Sequence, residues 1–566
     1  MRTSGLISPY RAACLGLLGL VGLVGMGFLG ASNAPAASSK AGKVDRVALG
    51  REIFDREWLP GDTRSHGGDG LGPVYNDTSC VACHNSGGVG GGGPVSKNID
   101  ILSASGGITP VDAVVNDAKP KRAQVQRTAS DTKALVKLHA GFRNGRTVVL
   151  HKFGVDPNYQ SWRKAALTPQ LAQVTPTAVT SIREGSIQFI TTEPARVQTS
   201  SPVPPADLQV ASVVATSEPV PTPATAITPP APPTQQAASP AFALAVSSGL
   251  TPSPSPAVSS RAQTQFQEAF SSMQSRSRAQ VQAGDFLVSH SQRNATALFG
   301  VGLLDSIPES AIAAGAGLSK QFPEVQGRVS RLKDGRIGRL GWKGQTASVE
   351  DFVLTACAVE LGLEVPGHEQ SLSPQAPKYR AGGKDLTADE CSALVAFVRS
   401  IPRPLERAPQ MEEEGEAIKG GKAHFESIGC ASCHTPSLGG VDGVYSDLLL
   451  HDMGPELADN GSYNGDPDDP DPLNPVLGGE RQVNANRPAT RQEWRTPPLW
   501  GFRDSAPYLH DGRADTLEQA VAGHGGQGRA SALRFFDLSP KERTQLEVFL
   551  KSMVAPTDAA TGLAAK

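Results

Sequence analysis

Cys430-Ala431-Ser432-Cys433-His434 is a C-x-x-C-H stretch, and Cys80-Val81-Ala82-Cys83-His84 carries the same spacing about 350 residues earlier. This spacing lets two thiols add across the vinyl groups of a haem while the following histidine turns back to bind the iron from the proximal side. A zinc site would bring its two C-x-x-C pairs within about 15–20 residues, and neither zinc nor a thioredoxin-like dithiol requires the extra histidine that both copies have. The sequence therefore predicts two covalently attached c-type haems, one at Cys80, Cys83 and His84, the other at Cys430, Cys433 and His434.

Outward from each motif the chain repeats itself. Gly50-Arg51-Glu52-Ile53-Phe54 precedes the first motif and Gly421-Lys422-Ala423-His424-Phe425 the second. Farther on, the stretch from Arg293 to Phe299-Gly300 parallels Arg495-Thr496-Pro497-Pro498-Leu499-Trp500-Gly501. Gly341-Trp342-Lys343-Gly344-Gln345 likewise parallels Leu509-His510-Asp511-Gly512-Arg513. Each half ends in a predicted amphipathic helix. Thr387 with Glu390 and Ser539 with Glu542 form capping boxes, and Leu394, Phe397, Val398, Ile401 and Leu546, Phe549, Leu550, Met553 form apolar stripes. The order of opening helix, motif, loops and closing helix is that of a class I cytochrome c domain. The expected fold is mainly α, with two such domains in tandem: residues 43–405 and 412–556.

The first domain is longer by an insertion. Residues 194–256 are rich in Pro, Ser, Thr and Ala with almost no charge, too little apolar pattern to offset ordering entropy. A disordered segment is expected over about 186–262, with Thr147-Val148-Val149-Leu150 reading as a strand and residues 260–283 as helix. The glycine run 87–93 permits close backbone approach beside the first motif. The acidic run 466–471 is a weak calcium candidate, since it is interrupted by prolines and lacks the EF-hand pattern.

Formal net charge is −2, which argues against a nucleic-acid-binding surface. Arg2 and Arg11, an apolar run over 12–29 and small residues at 34–36 have the layout of a secretory signal over residues 1–36. The run is also near membrane-spanning length, so an uncleaved N-terminal membrane tether is the alternative. Either reading places the protein in the periplasm or otherwise outside the cytoplasm. Cys357 and Cys391 are left over, open to a disulfide or to buried thiols.

The second side of each iron separates electron transfer from catalysis. His524 follows the predicted helix from Thr516 at the place where cytochrome c domains present a distal ligand; the repeat puts Ala356 opposite it, which cannot bind iron. His451 reads equally as a ligand or as a hydrogen-bonding turn residue. Trp342 reads as an electron relay between haems or as a core tryptophan.

These stretches, above all Leu450-His451-Asp452-Met453-Gly454-Pro455, Arg495-Thr496-Pro497-Pro498-Leu499-Trp500-Gly501 and Leu509-His510-Asp511-Gly512-Arg513, resemble the bacterial di-haem oxidoreductase family, whose members are labelled peroxidases or thiol oxidoreductases. More distantly the chain is similar to di-haem cytochrome c peroxidases, in which one haem takes in electrons and the N-terminal one meets peroxide. The resemblance implies a relay role for Trp342 and an axial-ligand role for His524, with peroxide and a small redox protein or quinol-linked donor as partners. Two departures follow from the residues present. Lys343 and Gln345 stand where those peroxidases have Asp and Arg, and Phe352 where they have a distal glutamine. Glu350 or Glu360 is then the candidate for the acid–base group that peroxide cleavage needs. An apolar pocket would suit dioxygen instead, as in the similar rubber oxygenases. A pure electron-transfer protein with both irons six-coordinate is the rival from another class. The thiol label finds no support, because no C-x-x-C is left free.

Overall fold

The computed structural model describes residues 45–106, 129–143, 145–167, 258–273, 280–284, 286–459, 461 and 489–556. In each half an opening helix crosses a closing one: Arg46–Asp55 against Ala388–Ser400, and Glu412–Ser427 against Pro540–Ser552. A glycine sits at each crossing. A Cβ on Gly50 would collide with the main-chain oxygen of Ala393, and one on Gly421 with that of Gln545. Glycine inside a helix costs about 0.5–1 kcal/mol relative to alanine; here the backbone approach outweighs that. Both capping boxes form. The apolar stripes meet Ile53 and Phe54 in the first core and Phe425 in the second.

The mid-domain repeat is equally regular. Gly300 and Gly501 share φ of 66°, and each starts a helical turn. Gly341 (φ 76°) and Leu509 (φ 70°) each open a loop closed by a bridge, Leu340 to Thr346 and Tyr508 to Ala514. Ser348 and Thr516 then N-cap the helices Val349–Glu360 and Leu517–Ala522. Between the halves the repeats touch: Asn294 N–H donates to His510 O (2.8 Å) and Arg495 N–H to Trp342 O (3.0 Å).

The insertion corrects three expectations. It builds a four-stranded antiparallel sheet in the order Thr147–Leu150, Ile99–Gly106, Phe286–Arg293, Gln280–Ala283, so the first half is not simply helical. Leu102, Leu150, Phe286 and Val288 pack beneath it with Leu135 and Phe142. The helix expected over 260–283 ends at Ser272, and residues 280–283 are strand. Residues 258–262, placed by the sequence in the disordered stretch, lead into that helix, which packs on the second half and not on the first. The segments 1–36, 194–256 and 466–471 lie outside the described residues. Among the described residues no helix is long and apolar enough to cross a membrane. Cys357 and Cys391 are free, buried thiols.

The sheet is tied to the second half by a buried ion pair. Arg293 donates to both carboxylate oxygens of Asp459 at 2.6 and 2.9 Å, each side chain being 6% exposed. Removing one partner of such a pair strands the other charge, at a cost of about 3–5 kcal/mol. Asp459→Ala is therefore expected to lower the thermal unfolding midpoint by several degrees in a calorimetric scan; an unchanged midpoint would mean that the remaining carbonyl contacts of Arg293 suffice.

Candidate functional site

Two cavities lie side by side. The larger, about 310 Å³, is walled by Cys430, Cys433, His434 and His524; the smaller, about 150 Å³, by Cys80, Cys83 and His84. Gly341, Trp342, Phe352 and residues 294–296 line both.

In the larger cavity a main-chain oxygen orients each histidine. His434 Nδ1 is 3.0 Å from Tyr445 O, and Tyr445 reaches that position with φ of 46°. His524 Nδ1 is 2.7 Å from Ala520 O, one helical turn back. With Nδ1 engaged on each ring, Nε2 is the nitrogen left to bind metal. The two ring centroids are 6.5 Å apart. Two imidazoles on one metal ion, with metal–nitrogen distances of roughly 2.0–2.1 Å, would have centroids roughly 6 Å apart. Burial, with His524 close by, pushes the His434 pKa down to about 4, and burial lowers that of His524. Both rings are thus neutral near pH 7, the form that ligates. Burial also pushes the Cys430 thiol up to about 12, so it stays protonated near pH 7. These residues fit a bis-histidine c-type haem.

The smaller cavity is built differently. His84 Nδ1 is 3.2 Å from Gly91 O, in the glycine run, which folds back on its own motif through Ser86 N–H to Gly92 O (2.9 Å). A Cβ on Gly91 would collide with Ser86 O, which is why this loop needs glycine. Burial drives the Cys80 thiol, and with Asp77 nearby the Cys83 thiol, up to about 12. Phe352, Ala356 and Glu360 also line the cavity, at i, i+4 and i+8 of one helix face. No second histidine and no methionine lines this cavity among the described residues. Glu360 Oε2 accepts from Asn76 Nδ2 at 2.7 Å, which fixes a carboxylate at the cavity wall. These residues fit a haem held by one histidine.

The remaining candidates divide. Glu350 is exposed in the first turn of the same helix and lines neither cavity, so it drops out as an acid–base group. His451 lines the larger cavity, but both its nitrogens are engaged: Nε2 with Asp447 Oδ2 (2.9 Å) and Nδ1 with Gln527 Oε1 (3.0 Å). Burial would lower its pKa; Asp447 reverses that and holds it well above the ordinary histidine value. It is a hydrogen-bonding residue beside Cys433 and not a metal ligand. Trp342 Nε1 donates to Asn294 O (2.9 Å), which fixes the ring between the cavities.

Several residues of the seam were not legible in the sequence. Lys343 is buried, its Nζ donating to three main-chain oxygens, Thr490 (2.9 Å), Arg491 (3.0 Å) and Glu493 (2.8 Å), and lying 3.6 Å from the centre of the Trp494 ring. Trp494 in turn stacks on His510 at 3.8 Å. No spacing rule announces such partners, because they come from chain segments about 150 residues apart.

Residues 476–553 match the family described as "Di-haem oxidoreductase, putative peroxidase". The methylamine utilization protein MauG of Methylorubrum extorquens is 29% identical over 192 residues, which is 32% of this chain and 47% of that protein. The cytochrome-c peroxidase IdrP2 of Denitromonas iodatirespirans is 28% identical over 253 residues, 39% of this chain and 66% of that protein. The chain thus spans about half to two thirds of the curated relatives it matches. The crystal structure of a MauG-like protein associated with microbial copper homeostasis is 22% identical, covering 44% of this chain and 90% of that one, at a TM-score of 0.23 too low to support any argument. The family match over residues 476–553 and the two relatives agree with the reading of the residues as a chain similar to the di-haem oxidoreductases.

Proposed function

We propose that the protein is an exported di-haem c-type oxidoreductase that reduces peroxide, or uses it to oxidise a substrate, at its N-terminal site. The observation that carries this is the asymmetry of the two cavities: a facing pair of histidines in one, a single histidine and a fixed carboxylate in the wall of the other. Bound haem would supply the redox centre and the iron at which peroxide is cleaved. Cys430, Cys433, His434 and His524 would hold the electron-entry haem; Cys80, Cys83 and His84 would hold the reactive one. Glu360 would take a proton from the attacking oxygen of peroxide and return it to the leaving one. Trp342, common to both walls, offers the electron path between them. The partners proposed are peroxide and a small redox protein or quinol-linked donor, and the segment 1–36 supplies the route to the periplasm.

A pyridine haemochrome assay is expected to count two haems per chain, neither extractable by acid acetone. In the half-reduced protein a high-spin band should change on adding peroxide. Two low-spin, peroxide-indifferent irons would instead make the protein an electron carrier.

A further inference from the structure

Helix Ser260–Ser272 belongs by sequence to the insertion of the first half, yet its apolar face lies on the second. Ala262, Phe266, Ala269 and Phe270, spaced i, i+4, i+7 and i+8, make that face; Ala262 is fully buried and Phe266 5% exposed. Phe266 meets the edge of Phe536 at 5.8 Å, and the Arg529 guanidinium lies 5.0 Å from its centre. At the helix start, Ser259 Oγ donates to Asp537 and Arg261 Nη2 to Leu538 O (3.4 Å), at the far end of helix Arg529–Asp537. At its end, Gln519 Nε2, from helix Leu517–Ala522, donates to Ser272 O (3.3 Å) and Oγ (3.2 Å). The helix therefore straddles the element before His524 and the element after it. Neither flanking helix is long. Leu517–Ala522 has six residues, too few to hold a ligand rigidly by local hydrogen bonding.

We infer that helix Ser260–Ser272 is a brace, contributed by the first half, that positions His524 against the iron of the second. Phe266 is its positioning residue: it touches neither His524 nor the cavity, and acts by closing the core formed by Phe535, Phe536, Leu517 and Ala522. Ala522, in the same core, is 1% exposed and two residues before His524, so loosening that core transmits to the imidazole. The inference rests on His524 being the distal ligand. It adds that the hold on that ligand is set from outside its own domain, so whatever moves the insertion changes access to the electron-entry iron.

The test measures the rate at which carbon monoxide binds the fully reduced, two-haem protein at the C-terminal haem, where His524 must first leave. Phe266→Ala is expected to speed this step about tenfold, equivalent to ~1.4 kcal/mol of lost bracing. Phe270→Ala, at the edge of the same face, should give a smaller rise and serves if Phe266→Ala fails to fold. Unchanged rates in folded, two-haem variants overturn the brace. His524→Ala is measured beside them: if it leaves the low-spin signal intact, the ligand reading has failed and the brace with it. If it abolishes the signal while both phenylalanine variants bind at the unaltered rate, only the brace has failed.

Discussion

Replacing His524 by alanine is expected to convert one of the two haems from low-spin to high-spin, with the haem count still two per chain. The expectation follows from geometry: His434 and His524 face each other at 6.5 Å, and each has Nδ1 committed to a carbonyl. Alanine removes one axial nitrogen and leaves the thiols and His434 in place, so attachment survives while coordination does not. Loss of a neutral nitrogen donor should also shift the midpoint potential of that haem and leave the other unmoved. Magnetic resonance and redox titration read the two effects separately. A low-spin signal that survived in His524→Ala but vanished in Met453→Leu would move the ligand to Met453, which lines the same cavity.

Glu360→Gln is expected to cut peroxide turnover by about 10²–10⁴-fold, the range over which a positioned acid–base group acts. Glutamine keeps the shape and the oxygen that accepts from Asn76, so packing and haem content should be unchanged. Only the capacity to take and return a proton is lost. Glu350→Gln, on the exposed first turn of the same helix, should leave turnover unaltered. A fall of less than about tenfold in Glu360→Gln would place proton transfer elsewhere, with Gln345 in the same cavity wall the next residue to replace.

The two motifs, the glycine run 87–93 and the capping boxes were legible because each is a local rule: a fixed spacing, a close backbone approach, a side chain three residues from its amide. The position of Ala356 followed from the repeat. The four-stranded sheet was not legible. Its outer partners, Thr147–Leu150 and Gln280–Ala283, never touch, and Phe286–Arg293 pairs with Ile99–Gly106 across nearly two hundred residues. The docking of Ser260–Ser272 on the other half was hidden for the same reason, since its amphipathic pattern says that it must pack and not against what. His451 misleads in sequence because a buried histidine reads alike as ligand or hydrogen-bonder; only Asp447 and Gln527, at 2.9 and 3.0 Å, decide it.

Asn294 bonds to His510 as Arg495 bonds to Trp342, and by the repeat Asn294 corresponds to Arg495 and Trp342 to His510. A Cβ on Gly300 would meet Trp500, and one on Gly501 would meet Phe299, again an exchanged pair. Contacts that come in exchanged pairs are the signature of an isologous interface about a two-fold axis. Only residues on such an axis touch their own counterpart, as Trp342 and His510 do with ring centres 6.5 Å apart. One polypeptide thus contains the geometry of a symmetric dimer, with the indole and the imidazole at its pseudo-dyad. A substitution at Trp342, on that axis, is felt by both cavities at once, because Trp342 lines both, whereas Glu360 and His524 each line only one.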